Sequence, residues 1–316
     1  MFRFLYTQDI HLKKKNPIRR TDNYYEAMMA KLEEICQIYK EEKCDCWIDG
    51  GDLFEIPLVS YSLIDDFVDL LEKYNIKLKL LYGNHCQIGA NVSNSNSTSL
   101  AHILRRTKNV DTLTRIETDN EIIQGHEYYF GIENDINERG LSCGVIATKK
   151  KKIGIVHALV TERPFFEHIP HNVIGKFKTD YDIILIAHNH RAWGIKEIDG
   201  TKFINIGCLG RRNVDESKLS PSCLLYETGK EISIRTLKSA KPGNEVFDLV
   251  TYNDSKKFTQ TIDDFVEMVN NVKFQQTDIM NIIQMIAKEE KISKDVIDCI
   301  IEKIGELENK NNNQGD

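Results

Sequence analysis

Five short polar clusters, each placed where an apolar segment ends, carry side chains that could bind metal ions. Among their side chains are two carboxylates, the Asn84 amide and five imidazoles, which are oxygen and nitrogen ligands that suit a pair of divalent cations. One such cluster would more often be a turn or a surface histidine, but the ordered set predicts a two-metal site. The clusters are Asp9-Ile10-His11, Gly51-Asp52, Gly83-Asn84-His85, His157 and His188-Asn189-His190.

Two metal ions held about 3.5–4 Å apart would allow such a site to hydrolyse a phosphodiester. They turn a bound water into hydroxide near neutral pH, and they neutralise charge on the phosphoryl oxygens and the leaving group. A carboxylate has to hold both ions at that separation. Asp52 is the candidate for this bridge, because the glycines before it let the backbone turn sharply.

The apolar pattern of the front part predicts strands that alternate with helices. This order implies parallel strands covered by helices, and in such sheets ligands collect beyond the carboxyl ends of the strands. The first three clusters directly follow predicted strands. These strands are 2–7, 46–48 and 76–81, and the helices are 24–39, with Thr21 or Asp22 as its cap, and 62–73.

Beyond residue 110 the pattern predicts a second, mixed sheet. His157 and His188 lie at the ends of two of its strands, so all five clusters would share one rim if this sheet faces the first. The predicted strands are 127–132, 144–148, 153–157, 181–187, 202–206, 222–226 and 231–237.

The composition changes after 241–243. Thr277 and Ser293 can each cap a helix with isoleucines on one face, which predicts a helical hairpin over 277–307. Its apolar face could pack on the chain's own domain or bind a partner, and the sequence leaves both open. We therefore predict a domain over 1–238, an extension over 239–308 and a disordered tail over 309–316.

Composition is that of an ordinary globular protein, with 41% hydrophobic and 28% charged residues. No apolar run approaches the roughly 20 residues that span a bilayer, so no membrane association is expected. The eight cysteines have no regular spacing and fit a reducing compartment. Because Met1 to Tyr6 run directly into the first cluster, we expect no cleaved signal peptide and a cytoplasmic protein.

A net charge of -6 argues, taken alone, against a nucleic-acid partner. The excess acid, however, lies in residues 240–316, and residues 1–239 hold 33 basic and 33 acidic side chains. Basic clusters in this front part would more often be solvated loops than phosphate contacts. Arg211 and Arg212, which follow the Gly207-Cys208 turn, are the pair that we place against a phosphate backbone.

The five clusters, in this order, resemble those of the calcineurin-like metallophosphoesterase superfamily. Within it, residues 5–12 (LYTQDIHL) and Gly51-Asp52-Leu53-Phe54 are most similar to the double-strand-break repair nucleases of the SbcD type, over about residues 1–235. The resemblance implies an α/β fold, a four-layer α/β/β/α sandwich. It also implies two divalent metal ions, usually Mn²⁺.

The resemblance implies a role for each residue of the clusters. His85 would stabilise the transition state or protonate the leaving oxygen. The implied ligands are Asp9, His11 and His190 for the first metal, Asn84, His157 and His188 for the second, and Asp52 as the bridge.

Three residues depart from the family pattern. Cys86 stands where an acidic residue usually follows the Gly-Asn-His run, which puts turnover in doubt more than metal binding. Glu55 stands where repair nucleases often have a histidine, and Ala187 replaces a glycine at little expected cost.

The resemblance implies a DNA exonuclease, with endonuclease activity as a further expectation, in repair or recombination. Its partners would be a second copy and an SMC-like coiled-coil ATPase of the SbcC type. Two alternatives stay open. The first is a phosphoesterase for small nucleotides or phosphoproteins, favoured by the neutral front part and Glu55. The second is a member with weakened catalysis that serves as a binding or scaffold subunit, favoured by Cys86. We expect structural roles for the remaining histidines, His102, His126, His168 and His171.

Overall fold

A computed structural model describes residues 1–90, 92–164 and 169–251 of the protein. The chain divides into two compact units, Met1–Phe247 and Asp248–Asp316. The first unit extends past the expected boundary at 238, because Arg20 and Phe247 form a β-bridge and Phe247 is buried. The predicted hairpin over 277–307, the predicted tail over 309–316 and His168 lie outside the described residues.

The described residues form fourteen strands, most of them short. In chain order these are β1 (Arg3–Thr7), β2 (Cys46–Asp49), β3 (Leu78–Leu80), β4 (Val110–Thr112), β5 (Arg115–Glu117), β6 (Glu121–His126), β7 (Lys151–His157), β8 (Val160–Thr161), β9 (Asn172–Val173), β10 (Ile183–Ala187), β11 (Gly194–Ile198), β12 (Thr201–Asn205), β13 (Ser222–Glu227) and β14 (Ser233–Thr236).

Two six-stranded sheets form the centre of the first unit. The first has the order β14-β13-β1-β2-β3-β4, with β1 to β4 parallel and β13 and β14 antiparallel at one edge. The second has the order β11-β12-β10-β7-β6-β5, in which β12, β10, β7 and β6 are parallel. The strands β8 and β9 pair separately. Parallel order explains why ligands can gather at one rim.

Helices cover the outer faces of the sheets. Helix α1 begins after Asn23, whose side chain accepts a hydrogen bond from the Glu26 amide at 3.2 Å, so the predicted cap at Thr21 or Asp22 is wrong by one or two positions. No helix within the described ranges is long and apolar enough to cross a membrane. The helices are α1 (Tyr24–Glu41), α2 (Tyr61–Lys73), α3 (Ser99–Arg106), α4 (Ile132–Arg139) and α5 (Gly243–Val246).

Three apolar clusters separate four layers. Successive side chains of a strand point to opposite faces, so in β1 Leu5 faces the helices, and Phe4 and Tyr6 face the second sheet. The middle cluster, which includes Ile155, fills the space between the two sheets, and a third cluster packs Ile136 of α4 against the second sheet. The predicted four-layer α/β/β/α sandwich is therefore confirmed.

Two predicted strands are wrong. Residues 127–132 contain no strand, because Gly131 takes a left-handed φ of 91° and α4 begins directly after it. Residues 144–148 are irregular and have no partner strand in the described part of the chain. The sequence reading also missed β11, a half-exposed edge strand in which Lys196 and Glu197 stand side by side between two isoleucines, so no alternation of apolar and polar residues marks it.

Replacing Ile155 by Ala should lower the free energy of unfolding by about 2–5 kcal/mol, because the side chain is fully buried between the sheets. The matched control is Ile195→Ala on the edge strand β11, where the side chain is 41% exposed and the loss should be below about 1 kcal/mol. Denaturant unfolding measures both. Equal losses in the two variants would contradict the middle apolar layer.

Candidate metal centre

The five polar clusters meet at one rim of the sandwich, where the parallel strands end. Asp9, Asp52 and Asn84 follow β1, β2 and β3 of the first sheet. His157 is the last residue of β7, and His188 follows β10 in the second sheet. Because both sheets present their carboxyl ends at this rim, side chains distant in sequence lie side by side.

The first group of side chains comprises Asp9, His11 and His190. The Nε2 atoms of His11 and His190 lie 3.0 Å apart, and Asp9 Oδ1 lies 4.0 Å from the first and 3.9 Å from the second. Two imidazole nitrogens and a carboxylate oxygen that converge in this way suit a divalent cation.

The second group comprises Asn84, His157 and His188. Asn84 Oδ1 lies 2.8 Å from His188 Nδ1 and 3.2 Å from His157 Nε2. Asp52 stands between the two groups, with its Oδ2 3.3 Å from His157 Nε2 and 3.8 Å from His11 Nε2. All the side chains expected to hold metal are thus brought together, with Asp52 between the two groups; its bridging role stays a prediction.

Buried acceptors fix which ring nitrogen of two histidines faces the centre. His190 Nδ1 lies 2.7 Å from Glu216 Oε1, and His157 Nδ1 donates to the Gly50 carbonyl at 2.8 Å. The Nε2 atom of each ring is therefore left to face the centre, as in most protein metal sites. The sequence reading missed Glu216, although the spacing of Asn213 and Glu216 is that of a capping box, and both of its hydrogen bonds are present.

The electrostatics of the centre are those of a site built for cations. Burial alone would lower the pKa of His157, but the Asp52 carboxylate outweighs it and raises that pKa to about 9. Burial alone would raise the pKa of Glu216, but its hydrogen bond with His190 holds it at about 2. The pKa of Asp52 is likewise lowered, chiefly by His157, so the carboxylates of Asp52 and Glu216 stay ionised at neutral pH and attract positive charge.

The backbone is strained at the same rim. Four residues of the clusters lie in the left-handed region of φ, which residues other than glycine rarely adopt. They are Asp9, His11, Asp52 and His188, with φ values of 49°, 51°, 59° and 77°. Backbone hydrogen bonds between the loops hold them there, such as His11 N to Asp52 O at 2.8 Å. Strain of this kind collects at functional sites.

Two glycines leave room for the ligands. A Cβ added at Gly83 would lie 2.1 Å from Asp52 Oδ1, and one at Gly51 would lie 2.4 Å from His157 Nδ1. Gly51 also has a φ of 108°, which favours glycine. The glycines of these clusters are therefore required by close approach to the ligands.

His85 is oriented without an acidic neighbour. Its backbone amide donates to Asp52 Oδ1 at 2.9 Å, and its Nδ1 lies 2.7 Å from the Glu55 carbonyl oxygen. Cys86, which directly follows His85, is buried, and burial raises the pKa of its thiol to about 12. The Glu55 carbonyl therefore orients the His85 ring in place of a carboxylate. The expectation that Cys86 leaves this ring poorly oriented loses its basis.

The Glu55 side chain lies beside the first group. Its Oε2 is 3.3 Å from His11 Nδ1, and both carboxylate oxygens accept from Arg212 Nη1 at 2.7 Å. Burial would raise the pKa of Glu55, but His11 and Arg212 lower it to about 2. Glu55 therefore supplies a negative charge next to a ligand, at the position where repair nucleases often have histidine.

The two predicted phosphate contacts differ in their positions. Arg211 is only 2% exposed, and its guanidinium donates to the carbonyls of Leu219 at 3.3 Å and Lys241 at 2.6 Å. A side chain held inside the protein cannot contact a nucleic-acid backbone, so this expectation is corrected for Arg211. Arg212 lies at the edge of the centre, where it is paired with Glu55, and its role stays a prediction.

The histidines expected to be structural lie apart from the two groups. His126 Nε2 lies 2.7 Å from the Tyr181 hydroxyl, and His102 packs edge-on against Tyr61. His171 Nδ1 lies 2.8 Å from the Ile169 carbonyl oxygen.

Comparisons with known proteins find structural likeness only. No protein-family model and no curated protein matches the sequence. A dimetal phosphatase from Danio rerio is 12% identical, with a TM-score of 0.49, over 76% of this chain and 97% of that one. The protein TT1561 of Thermus thermophilus is 9% identical, with a TM-score of 0.42, over 74% of this chain and 98% of that one. Likeness at this level does not assign the chain to a family.

Replacing Glu216 by Gln should weaken binding of the first metal by about tenfold to a hundredfold, because His190 loses the charge that orients its ring. Binding of the second metal, whose residues do not contact Glu216, should change little. Metal titration of the purified protein measures both steps. The matched control is Glu231→Gln, an exposed carboxylate outside the centre. Equal weakening of both metals in Glu216→Gln would contradict the division into two groups.

Proposed function

We propose that the protein is a phosphodiesterase that uses two divalent metal ions, with Mn²⁺ as the expected metal. The observation that carries the proposal is the shared carboxylate: Asp52 lies within 3.8 Å of an imidazole nitrogen in each of two ligand groups. A pair of ions held by one carboxylate is the arrangement that supports in-line displacement at phosphorus.

The residues of the chain divide the work. When bound, the metal ions would supply an activated water and neutralise charge on the phosphoryl group. Glu216 and the Gly50 carbonyl hold two imidazoles with Nε2 toward the centre. His85, whose Nδ1 is engaged by the Glu55 carbonyl, is left with Nε2 to stabilise the phosphoryl oxygens or protonate the leaving oxygen.

We propose DNA as the substrate, with the protein acting as an exonuclease. Endonuclease activity and a role in repair or recombination are further expectations. The support is the similarity of the segments around Asp9 and Asp52 to the SbcD-type nucleases, together with a basic loop beside the centre. Lys14 and Lys15 are exposed in this loop, which begins just after the ligand His11. Lysines at that place could track a phosphate backbone.

A small phosphoester is the second candidate substrate, and one observation favours it. Of the arginine pair expected to bind a polymer, Arg211 is buried and Arg212 is engaged by Glu55. A small nucleotide or a phosphorylated side chain would need neither arginine.

The deciding experiment compares two substrates in the presence of Mn²⁺. Release of nucleotides from linear duplex DNA supports the nuclease, whereas cleavage of a small aryl phosphodiester alone refutes DNA as substrate and favours the second candidate. Replacing His85 by Ala should lower turnover by about 10²- to 10⁴-fold while metal content stays unchanged. His102→Ala, which removes a histidine outside the centre, is the matched control. A wild-type protein that binds DNA but cleaves neither substrate would favour the scaffold alternative.

We propose that the protein works as a homodimer with an SMC-like coiled-coil ATPase of the SbcC type. The support is the sequence resemblance and the isoleucine-rich segment 277–307. If a neighbouring reading frame encodes a Walker-motif protein with long heptad repeats, the two should co-elute after co-expression. Deleting 277–307 should abolish co-elution and leave metal content unchanged. Co-elution that survives the deletion would show that this segment is not the docking site.

A further inference from the structure

A cavity of about 230 Å³ lies beside the first half of α1, apart from the two ligand groups. Its walls come from three places: the segment before α1 and its first turns, the residue Arg211, and the segment 239–246. The side chains that matter for its chemistry are Arg20, Lys31, Arg211 and Lys241. Four cations thus line one small space, against the two carboxylates of Asp22 and Glu26.

Two of these cations are buried without a carboxylate partner. Lys31 is 1% exposed, and its Nζ donates to the Leu209 carbonyl at 2.8 Å. Arg211 is 2% exposed and donates only to carbonyl oxygens. Within the described ranges no acidic group lies within ion-pair distance of Lys31 or Arg211. The nearby Asp22 carboxylate forms its ion pair with Arg20, at 2.7 Å. Buried charges in proteins are normally paired.

Spare donor capacity accompanies this unpaired charge. The Nε of Arg211 is buried and has no hydrogen-bond partner. Burial, together with the charges of Arg211 and Arg20, lowers the pKa of Lys31 to about 7. The destabilised ammonium of Lys31 is a cost that a bound anion would reduce, because negative charge in the cavity favours the protonated form.

We propose that this cavity binds a small anion that carries a phosphate group, at a site separate from the metal centre. The two unpaired cations match the charge of a phosphate dianion, and the guanidinium of Arg211 suits its oxygens. The amino-terminal end of the 18-residue helix α1 adds positive potential beside the cavity. The volume accommodates a phosphate with few further atoms and excludes a nucleic-acid strand.

The cavity is connected to the first ligand group through short contacts. Lys31 holds the Leu209 carbonyl, and the amides of Leu209 and Gly210 donate to the Asp9 carbonyl at 3.2 and 3.4 Å. Tyr24, whose ring lies 5.1 Å from the Arg20 guanidinium, donates its hydroxyl to the His11 carbonyl at 2.9 Å. The cavity is therefore linked by short contacts to the backbone of Asp9 and His11.

Calorimetric titration of inorganic phosphate into the full-length chain, with and without prior chelation of metal, tests the proposal. We expect one phosphate to bind after chelation, because the cavity needs no metal. Glycerol 3-phosphate in the same assay separates two sources of the phosphate group: competition with phosphate indicates a small phosphomonoester, and its absence indicates free phosphate. If the chelated protein binds neither anion, the proposal is overturned.

Variants locate the binding. Lys241→Glu reverses the charge of an exposed side chain of the cavity and should weaken phosphate binding by about tenfold to a hundredfold. Lys238→Glu, an exposed lysine outside the cavity, is the matched control and should bind as the wild type does. Lys31→Met should weaken binding similarly. Wild-type affinity in both Lys241→Glu and Lys31→Met would overturn the assignment. Because the assay uses metal-free protein, its outcome is independent of the proposed phosphodiesterase activity.

Discussion

The Asp52 carboxylate, buried between two sets of imidazoles, is the constraint on which the rest of the rim depends. Its oxygens reach His11 on one side and His157 on the other, and they also accept the amide of His85. Gly83 has to lack a side chain for the carboxylate to fit. The strand ends of the two sheets must therefore lie close enough for their side chains to touch. The apolar layer between the sheets fixes this alignment.

The sequence predicted which side chains converge at the rim because their signals are local. An apolar strand that stops at Asp9 or at His157 is visible in a short window, and parallel order then brings the strand ends together. Glu216 and the Glu55 carbonyl act on histidines far away in the chain, at separations of 26 and 30 residues. No short window of sequence contains both partners of such a contact. These orienting contacts therefore become visible only in the three-dimensional structure.

The errors of the sequence reading have the same origin. Arg211 and Arg212 look equivalent in sequence, yet adjacent side chains point in different directions, and one enters the interior while the other reaches Glu55. The apolar run before Gly131 has the composition of a strand, but a left-handed glycine lets the chain begin α4 there. In both cases tertiary context decided between local options that were nearly equal.

The left-handed backbone of Asp9, His11, Asp52 and His188 has a consequence for how this domain could change. The backbone conformation taken alone favours glycine or asparagine at each of these positions, by about 1 kcal/mol. The present side chains oppose that preference, because the Asp52 carboxylate accepts the His85 amide and the Asp9 carboxylate accepts the His188 amide. Glycine at Asp9 or Asp52 would therefore relieve backbone strain but remove these hydrogen bonds, so neither position can be relaxed without loosening the loops that meet at the rim.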